Sequence, residues 1–222
     1  MFRVDAQEAK PIVERAMKNL LLTVAEYGRT GADARSAIGQ MLARLDVLLS
    51  DDTLGPPLAN CFDLARGAGA SIQGIAIVYN GVLAEAPNTL GGKLVKDALL
   101  MFCFANGGRI VADMTFRSRE DVEYVKERIN HTFATLENVV ADAMDSLTYV
   151  ALVRLHASTI HFLIETARPL PRMLAFRFAA PLPTLLAAHR LYDTAGRADE
   201  LREENKVVHP AFMQHEGRAL SA

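Results

Sequence analysis

The sequence predicts a mainly α-helical protein, in which a helical body (1–171) is followed by a small β-α-α-β module (172–222). Apolar residues recur at helical spacing along most of the body. The chain is rich in alanine and leucine and contains no tryptophan, which favours helices. After Pro169 and Pro171 the pattern changes to short elements, because proline does not allow the preceding helix to continue.

The first helices of the body have the clearest pattern. Apolar side chains recur every three or four residues over 6–26 and again over 33–49. The loop after them ends in Pro56 and Pro57, and proline is favoured in the first turn of a helix. We therefore expect a third helix to begin there.

The middle of the body allows more than one interpretation. The apolar region 58–85 contains three glycines, and it is compatible with one or two helices kinked near the glycines or with a strand at 75–79. A further helix is expected to begin at 88–89. It is expected to end at the Asn-Gly-Gly sequence 106–108, because glycine often follows the last turn of a helix.

Two long helices complete the body. Ser118 followed by Glu120 and Asp121 is typical of a helix N-terminus, where a hydroxyl caps the first turn and acids interact with the helix dipole. We expect that helix to extend to about Asp142 and another to cover 146–167.

Charge and cysteine content argue against several classes of protein. The formal net charge is −2, whereas nucleic-acid-binding proteins usually carry a concentrated basic face, so we expect no nucleic-acid partner. The two cysteines, Cys61 and Cys103, do not form a disulfide framework. No apolar window reaches the roughly 20 residues that span a bilayer, so we expect no membrane span.

No set of residues has the spacing of a catalytic or metal site. His161 and Glu165 share a helical face, but a metal site needs further ligands and none follows, so we interpret them as a surface pair. The segment 91–93, Gly-Gly-Lys, lacks the spacing and the hydroxyl residue of a phosphate-binding loop. We expect no catalytic activity, no cofactor and no metal.

The C-terminal module has the most specific pattern. Residues 173–178 alternate as in a short strand, 184–192 predict a helix, and 193–196 predict a turn. A second short helix is expected over 197–205, and the apolar residues 219–220 supply a second strand. Together these elements predict the β-α-α-β unit.

An ordered set of residue types lies within this module. We expect these residues to serve docking rather than chemistry: Leu191, Tyr192, Arg197, Glu200, Asn205, His209, Pro210 and Phe212. Asn205 is expected to end the second helix, because asparagine tolerates the left-handed backbone conformation.

The ordered set resembles the C-terminal part of the DNA-circulation (circularisation) proteins of Mu-like phages, and the module resembles the LysM fold. The likeness begins at Phe116; Ala211 stands where the family tends to have glycine, and members are generally longer. The resemblance implies a structural component of a contractile phage tail, at the baseplate or hub. It also implies other tail or baseplate proteins as partners, several copies in a symmetric assembly, and a place in the virion after assembly in the host cytoplasm.

Two alternatives remain open. LysM folds can hold N-acetylglucosamine polymers, so the module could bind peptidoglycan through polar groups on the loops at 193–196 and 207–210. The family name implies a protein that binds DNA ends. The near-neutral charge and the acids interleaved with the basic residues argue against DNA binding.

Overall fold

The computed structural model describes residues 3–142 and 146–221, and it describes side chains at 5–135 and 149–221. It is mainly helical with a two-stranded sheet near the C-terminus, which confirms the coarse fold class. The chain forms two compact units. The first contains Met1–Met114 and His131–Thr159, and the second contains Thr115–Asn130 and Ile160–Ala222, which includes the whole predicted module.

The first unit is helical, and two helices have part of their length in each unit. Six helices precede residue 114: α1 (Arg3–Thr23), α2 (Arg29–Ala43), α3 (Leu45–Ser50), α4 (Gly55–Gly67), α5 (Ile72–Leu83) and α6 (Leu90–Asp113). Two more have part of their length in each unit: α7 (Arg119–Asp142) and α8 (Ser146–Ala167). The C-terminal elements are β1 (Met173–Arg177), α9 (Thr184–Tyr192), α10 (Ala198–Glu204) and β2 (Glu216–Leu220).

The region 58–85 is helical, and the structure decides between the interpretations left open by its glycines. It forms the end of α4 and the whole of α5, so the strand at 75–79 is absent. Gly69 lies between the two helices with a φ of +82°, a conformation that favours glycine. The chain therefore turns there rather than kinking within one helix.

The predicted end of α6 at Gly107 and Gly108 is wrong, since the helix continues to Asp113. Both glycines allow close packing instead. A Cβ atom on Gly108 would lie 3.3 Å from Thr159 Oγ1, and one on Gly107 would lie 3.5 Å from Ile72 Cδ1. Glycine is present at these two positions because neighbouring helices pack closely against them, not because the helix ends there.

The first turn of α6 is capped by a carboxylate from α1. Glu8 accepts hydrogen bonds from the backbone N–H groups of Asn88 and Thr89, both at 2.7 Å, and from the Thr89 hydroxyl. Thr89 in turn accepts from the N–H of Gly92 at 3.1 Å. These donors hold the pKa of Glu8 below its usual value, because they stabilise the ionised form.

The core of the first unit is built mainly from α1, α5 and α6. Its largest fully buried side chains include Met17, Leu20, Phe62, Leu99 and Leu100. Cys61 and Cys103 are buried as free thiols. Burial raises the pKa of the Cys61 thiol to about 11, which makes it an unreactive core residue. Among the helices that the structure describes, none has the length and apolar character needed to cross a membrane.

In the second unit, the start of α7 is tied to the end of α8. Ser118 caps α7 by accepting from the N–H of Asp121 at 3.2 Å, as the sequence predicts. Asp121 also accepts from the N–H of Ser118 at 3.1 Å, which completes a reciprocal cap that was not predicted. Arg119 donates from Nε to the carbonyl of Leu170 at 2.7 Å. Glu120 accepts from the N–H of Met173 at 2.8 Å, which fixes the start of β1.

Candidate docking module

The C-terminal module has the β-α-α-β order that its sequence predicts. β1 and β2 pair antiparallel, with Met173 opposite Leu220 and Arg177 opposite Glu216. Its small core is formed chiefly by alanines, leucine and methionine from both helices, β2 and the preceding loop: Ala187, Ala188, Ala198, Leu201, Met213 and Ala219. Leu191 and Tyr192 are partly buried against this core.

The side-chain amide of Asn205 pairs with β2 as a strand would. Its Oδ1 accepts from the N–H of Arg218 at 2.8 Å, and its Nδ2 donates to the carbonyl of the same residue at 2.7 Å. Nδ2 also donates to the carbonyl of Leu201 at 2.9 Å. One side chain therefore joins the end of α10 to the middle of β2.

The two bonds to Arg218 satisfy the outer edge of β2 at that residue. The N–H of Ser221 donates to the carbonyl of Arg172, and the N–H of Phe178 donates to that of His215. In antiparallel pairing the hydrogen-bonded pairs alternate with pairs whose backbone groups point outward. By this alternation the N–H and carbonyl of Arg218 point away from β1, towards Asn205.

Asn205 does not have the left-handed conformation predicted for it. Its φ is −95°, and the left-handed residue is Lys206, with a φ of +52°. The N–H of Lys206 donates to the carbonyl of Glu203, and that of Val207 donates to the carbonyl of Arg202, which is the Schellman arrangement. Asn205 is thus one position before the left-handed residue, where its amide can reach β2.

Gly217 makes room for this amide. A Cβ atom at residue 217 would lie 2.8 Å from Phe176 Cζ and in direct overlap with Asn205 Oδ1. The position therefore requires glycine because of close approach.

Arg197 connects the two helices of the module to the end of the chain. Its guanidinium lies over the ring of Tyr192, with 4.0 Å between Cζ and the ring centroid. It binds both carboxylate oxygens of Glu200, at 3.2 and 2.7 Å, and its Nη1 lies 3.4 Å from the carbonyl of Ser221. We refer to Tyr192, Arg197, Glu200, Asn205 and Gly217 as the clamp.

Burial also affects Tyr192. Its hydroxyl is buried and has no hydrogen bond of normal geometry to a described residue. Desolvation raises the pKa of this hydroxyl, with Arg197 acting in the opposite direction. The ring of Tyr192 contributes the contact with the guanidinium of Arg197.

The other end of the module is formed by two loops that are hydrogen-bonded to each other. The carbonyl of Pro210 accepts from both the N–H and the hydroxyl of Thr184, each at 2.7 Å. Met213 donates from its N–H to the carbonyl of Leu182 at 3.0 Å. These bonds place the loop before α9 beside the loop before β2.

Apolar side chains extend into solvent at this end of the module, two from the loop before β2 and one from the first turn of α9. Val208 is 99% exposed, Phe212 is 75% exposed and Leu185 is 62% exposed. The ring of His209 lies 5.4 Å from that of Phe212, and its Nδ1 accepts from the N–H of Ala211. We refer to Leu185, Val208 and Phe212 as the apolar end.

The loops at 193–196 and 207–210 lie at opposite ends of α9. Asp193 follows the last residue of that helix, in a left-handed conformation, whereas Pro210 contacts Thr184 at its first residue. Nine helical residues separate the two by about 13 Å. The structure therefore does not bring together the two loops that the alternative of sugar binding requires.

The predicted docking residues fall into two groups. Five of them, Leu191, Tyr192, Arg197, Glu200 and Asn205, hold the module together. The others, His209, Pro210 and Phe212, belong to the loop pair. Sequence reasoning missed Gly217, although a glycine inside a strand indicates a close approach. It also missed Val208 and Leu185, for which no motif gives a signal.

The remaining chemistry-bearing residues form no site that the structure reveals. Glu165 forms its ion pair with Arg168, at 2.8 Å, and not with His161 as expected. Over the described part of the chain, no cluster of three or more histidine, cysteine, aspartate or glutamate residues has the geometry to hold a metal ion.

No known family profile matches this chain. The chain also has no significant match among curated protein sequences.

Proposed function

We propose that this chain is a structural component of a contractile phage tail, at the baseplate or hub, and that it docks to other tail proteins through a LysM-like C-terminal module. The apolar end carries the proposal. Val208 and Phe212 extend from the loop before β2 and Leu185 extends from the first turn of α9, and backbone hydrogen bonds join these two segments. Fixed, solvent-exposed apolar side chains are typical anchors of protein–protein interfaces.

Two further observations support the proposal. The β-α-α-β order and the antiparallel pairing of β1 with β2 agree with a LysM-like module. Five of the eight residues that carry the resemblance to phage DNA-circulation proteins stabilise this module, so the ordered pattern has a structural reason.

The same observations favour protein docking over sugar binding. Polysaccharide recognition requires hydrogen-bonding groups aligned along a groove, and the two loops proposed to supply them are about 13 Å apart along α9. DNA-end binding has no concentrated basic face to support it, since the net charge is −2.

A photo-crosslinking experiment during particle assembly tests the proposal. A photoreactive phenylalanine analogue replaces Phe212 in one chain and the exposed Asp199 of the same module in a matched control. We expect a cross-link from residue 212, but not from residue 199, to a tail or baseplate protein of purified particles. Absence of the chain from purified tails would overturn the proposal.

Sugar binding is distinguished in a second arm. The purified chain is incubated with isolated peptidoglycan sacculi, with and without Phe212→Ser. If the sacculi retained the wild-type chain but not the Phe212→Ser variant, glycan binding would replace protein docking as the proposed function. We expect no retention of either chain.

A further inference from the structure

An apolar stripe extends along the solvent face of α6, in the first unit. It consists of Leu90, Leu94, Ala98 and Met101, which lie within an arc of about 80° at 100° per residue. Leu90 is 72% exposed, Leu94 is 60% exposed, Ala98 is exposed and Met101 is partly buried. The opposite face of the helix is buried in the core, so α6 is apolar on both sides. A helix of this kind is usually covered on both.

Two opposite charges flank the stripe on one side. Lys93 and Asp97 are four residues apart and lie next to each other along the same flank of α6. Neither charge forms an ion pair with a described residue, although Lys96 lies near enough to lower the pKa of the Asp97 carboxyl group. The nearby Lys96 is engaged elsewhere, since its Nζ donates to the carbonyls of Leu83 and Glu85 at 3.0 and 2.7 Å.

Asp97 is poorly placed for an isolated charge. It is partly buried, and burial raises the pKa of its carboxyl group more than the charge of Lys96 lowers it. A carboxylate at the border of an apolar stripe is stabilised when a cation lies opposite. The stripe therefore fits a partner that supplies both an apolar surface and a positive charge.

We infer that α6 pairs antiparallel with α6 of a second copy of this chain, about a two-fold axis near Val95. In this arrangement Lys93 lies opposite Asp97 of the second copy, and the same contact is repeated by symmetry. In antiparallel helix pairs the same flanks face each other, as these two charges require. Leu90 then lies opposite Met101, and Leu94 lies near Ala98, so that large side chains meet small or flexible ones.

The short length of the stripe limits the affinity of the two α6 helices for each other. From Leu90 to Met101 it measures about 16 Å, and beyond it Gly108 is already in contact with Thr159. Such a surface is smaller than a standard interface of about 1,600 Å². The pair is therefore a concentration-dependent dimer. This inference concerns a different unit from the docking module and does not depend on the proposed tail function.

Sedimentation velocity over a concentration series tests the pairing with the full chain. We expect the wild-type chain to form a dimer and Leu94→Arg to remain monomeric. Leu22→Arg serves as the matched control, because Leu22 is 84% exposed on α1, outside the stripe. Circular dichroism checks that each variant is folded. A wild-type chain that stays monomeric to about 1 mM, or a dimer unaffected by Leu94→Arg, overturns the inference.

Charge exchange tests the register. Lys93→Asp places two acids on the flank, and Asp97→Lys places two cations there, so each variant alone should dimerise at least tenfold more weakly. An equimolar mixture of the two variants should form the heterodimer, and the double exchange should restore self-association. Failure of the mixture to associate would overturn the antiparallel register, whatever else the stripe contacts.

Discussion

The two ends of the C-terminal module differ in how their residues are used. At the clamp, charged and amide side chains are turned inward onto backbone groups and an aromatic ring. At the apolar end, the backbone groups bond to one another and the side chains face solvent. The difference teaches that one ordered sequence pattern can combine residues that build a fold with residues that expose a surface.

The comparison predicts that changes at the clamp lower the free energy of unfolding of the module, whereas changes at the apolar end leave it unchanged. The largest effect is expected for Gly217→Val. The new side chain would overlap Asn205 Oδ1 and Phe176, so we expect a loss of about 3 kcal/mol. Urea denaturation measures it.

Gly196→Ala is the control for that substitution. A Cβ atom there would meet only Thr194 Oγ1, at an ordinary contact distance of 3.5 Å, so we expect a change below about 0.5 kcal/mol. Equal unfolding free energies for the two variants would show that the space beside Asn205 is not needed.

The next effect is expected for Asn205→Leu. This change removes the two bonds to Arg218 and the bond to Leu201, and it leaves the edge of β2 without its partner. We expect a loss of about 2 kcal/mol. Asn205→Asp retains the acceptor but not the donor, so it should cost about half as much. Amide hydrogen exchange at Arg218 provides the measurement. Unchanged protection in the leucine variant contradicts the role given to the amide.

A smaller effect is expected for Arg197→Lys. Lysine retains the charge but loses the two-point contact with Glu200 and the planar stacking on Tyr192. We expect a loss of about 1 kcal/mol by urea denaturation. Arg202→Lys is the matched control, because its bridge to the exposed Asp199 is 3.5 Å long and contributes little. If both variants lost the same unfolding free energy, Arg197 would contribute no more to stability than an ordinary surface charge.

The smallest effect on stability is expected for Phe212→Ser. Its side chain is 75% exposed, so the unfolding free energy should change by less than about 0.5 kcal/mol. Under the proposed tail function, incorporation of the chain into tails should nevertheless fall strongly, since an exposed anchor is removed. Quantitative immunoblotting of purified particles measures this. If Phe212→Ser destabilised the chain but left its incorporation into tails normal, Phe212 would belong with the residues that build the fold and not with those that expose a surface.

Local sequence signals predicted much of the fold. The bounds of α8 and α9 agree with expectation, and proline limits the end of α8 and the start of α9. Ser118 caps α7 as its position indicates. The end of α6 was misplaced, since Gly107 and Gly108 reflect packing against residues distant in sequence. Periodicity contains no information about such contacts.

The candidate site was predicted in part. The residues of the ordered pattern were identified, but not the division between clamp and apolar end. Asn205 illustrates the reason. Its sequence position indicates a helix end, whereas its role depends on the backbone of Arg218, thirteen residues later. That pairing exists only once β2 is in place.

The amide of Asn205 also limits how the sheet can grow. A strand with an unsatisfied outer edge is a template for another chain, and such edges lead to uncontrolled aggregation. Because a side chain occupies the outer edge of β2 at Arg218, an incoming strand has no free backbone groups to pair with at that position. The carboxylate of Glu120 occupies the outer edge of β1 in the same way, because it accepts from the N–H of Met173. Each edge of the two-stranded sheet therefore carries a side chain at a position where an incoming strand would pair.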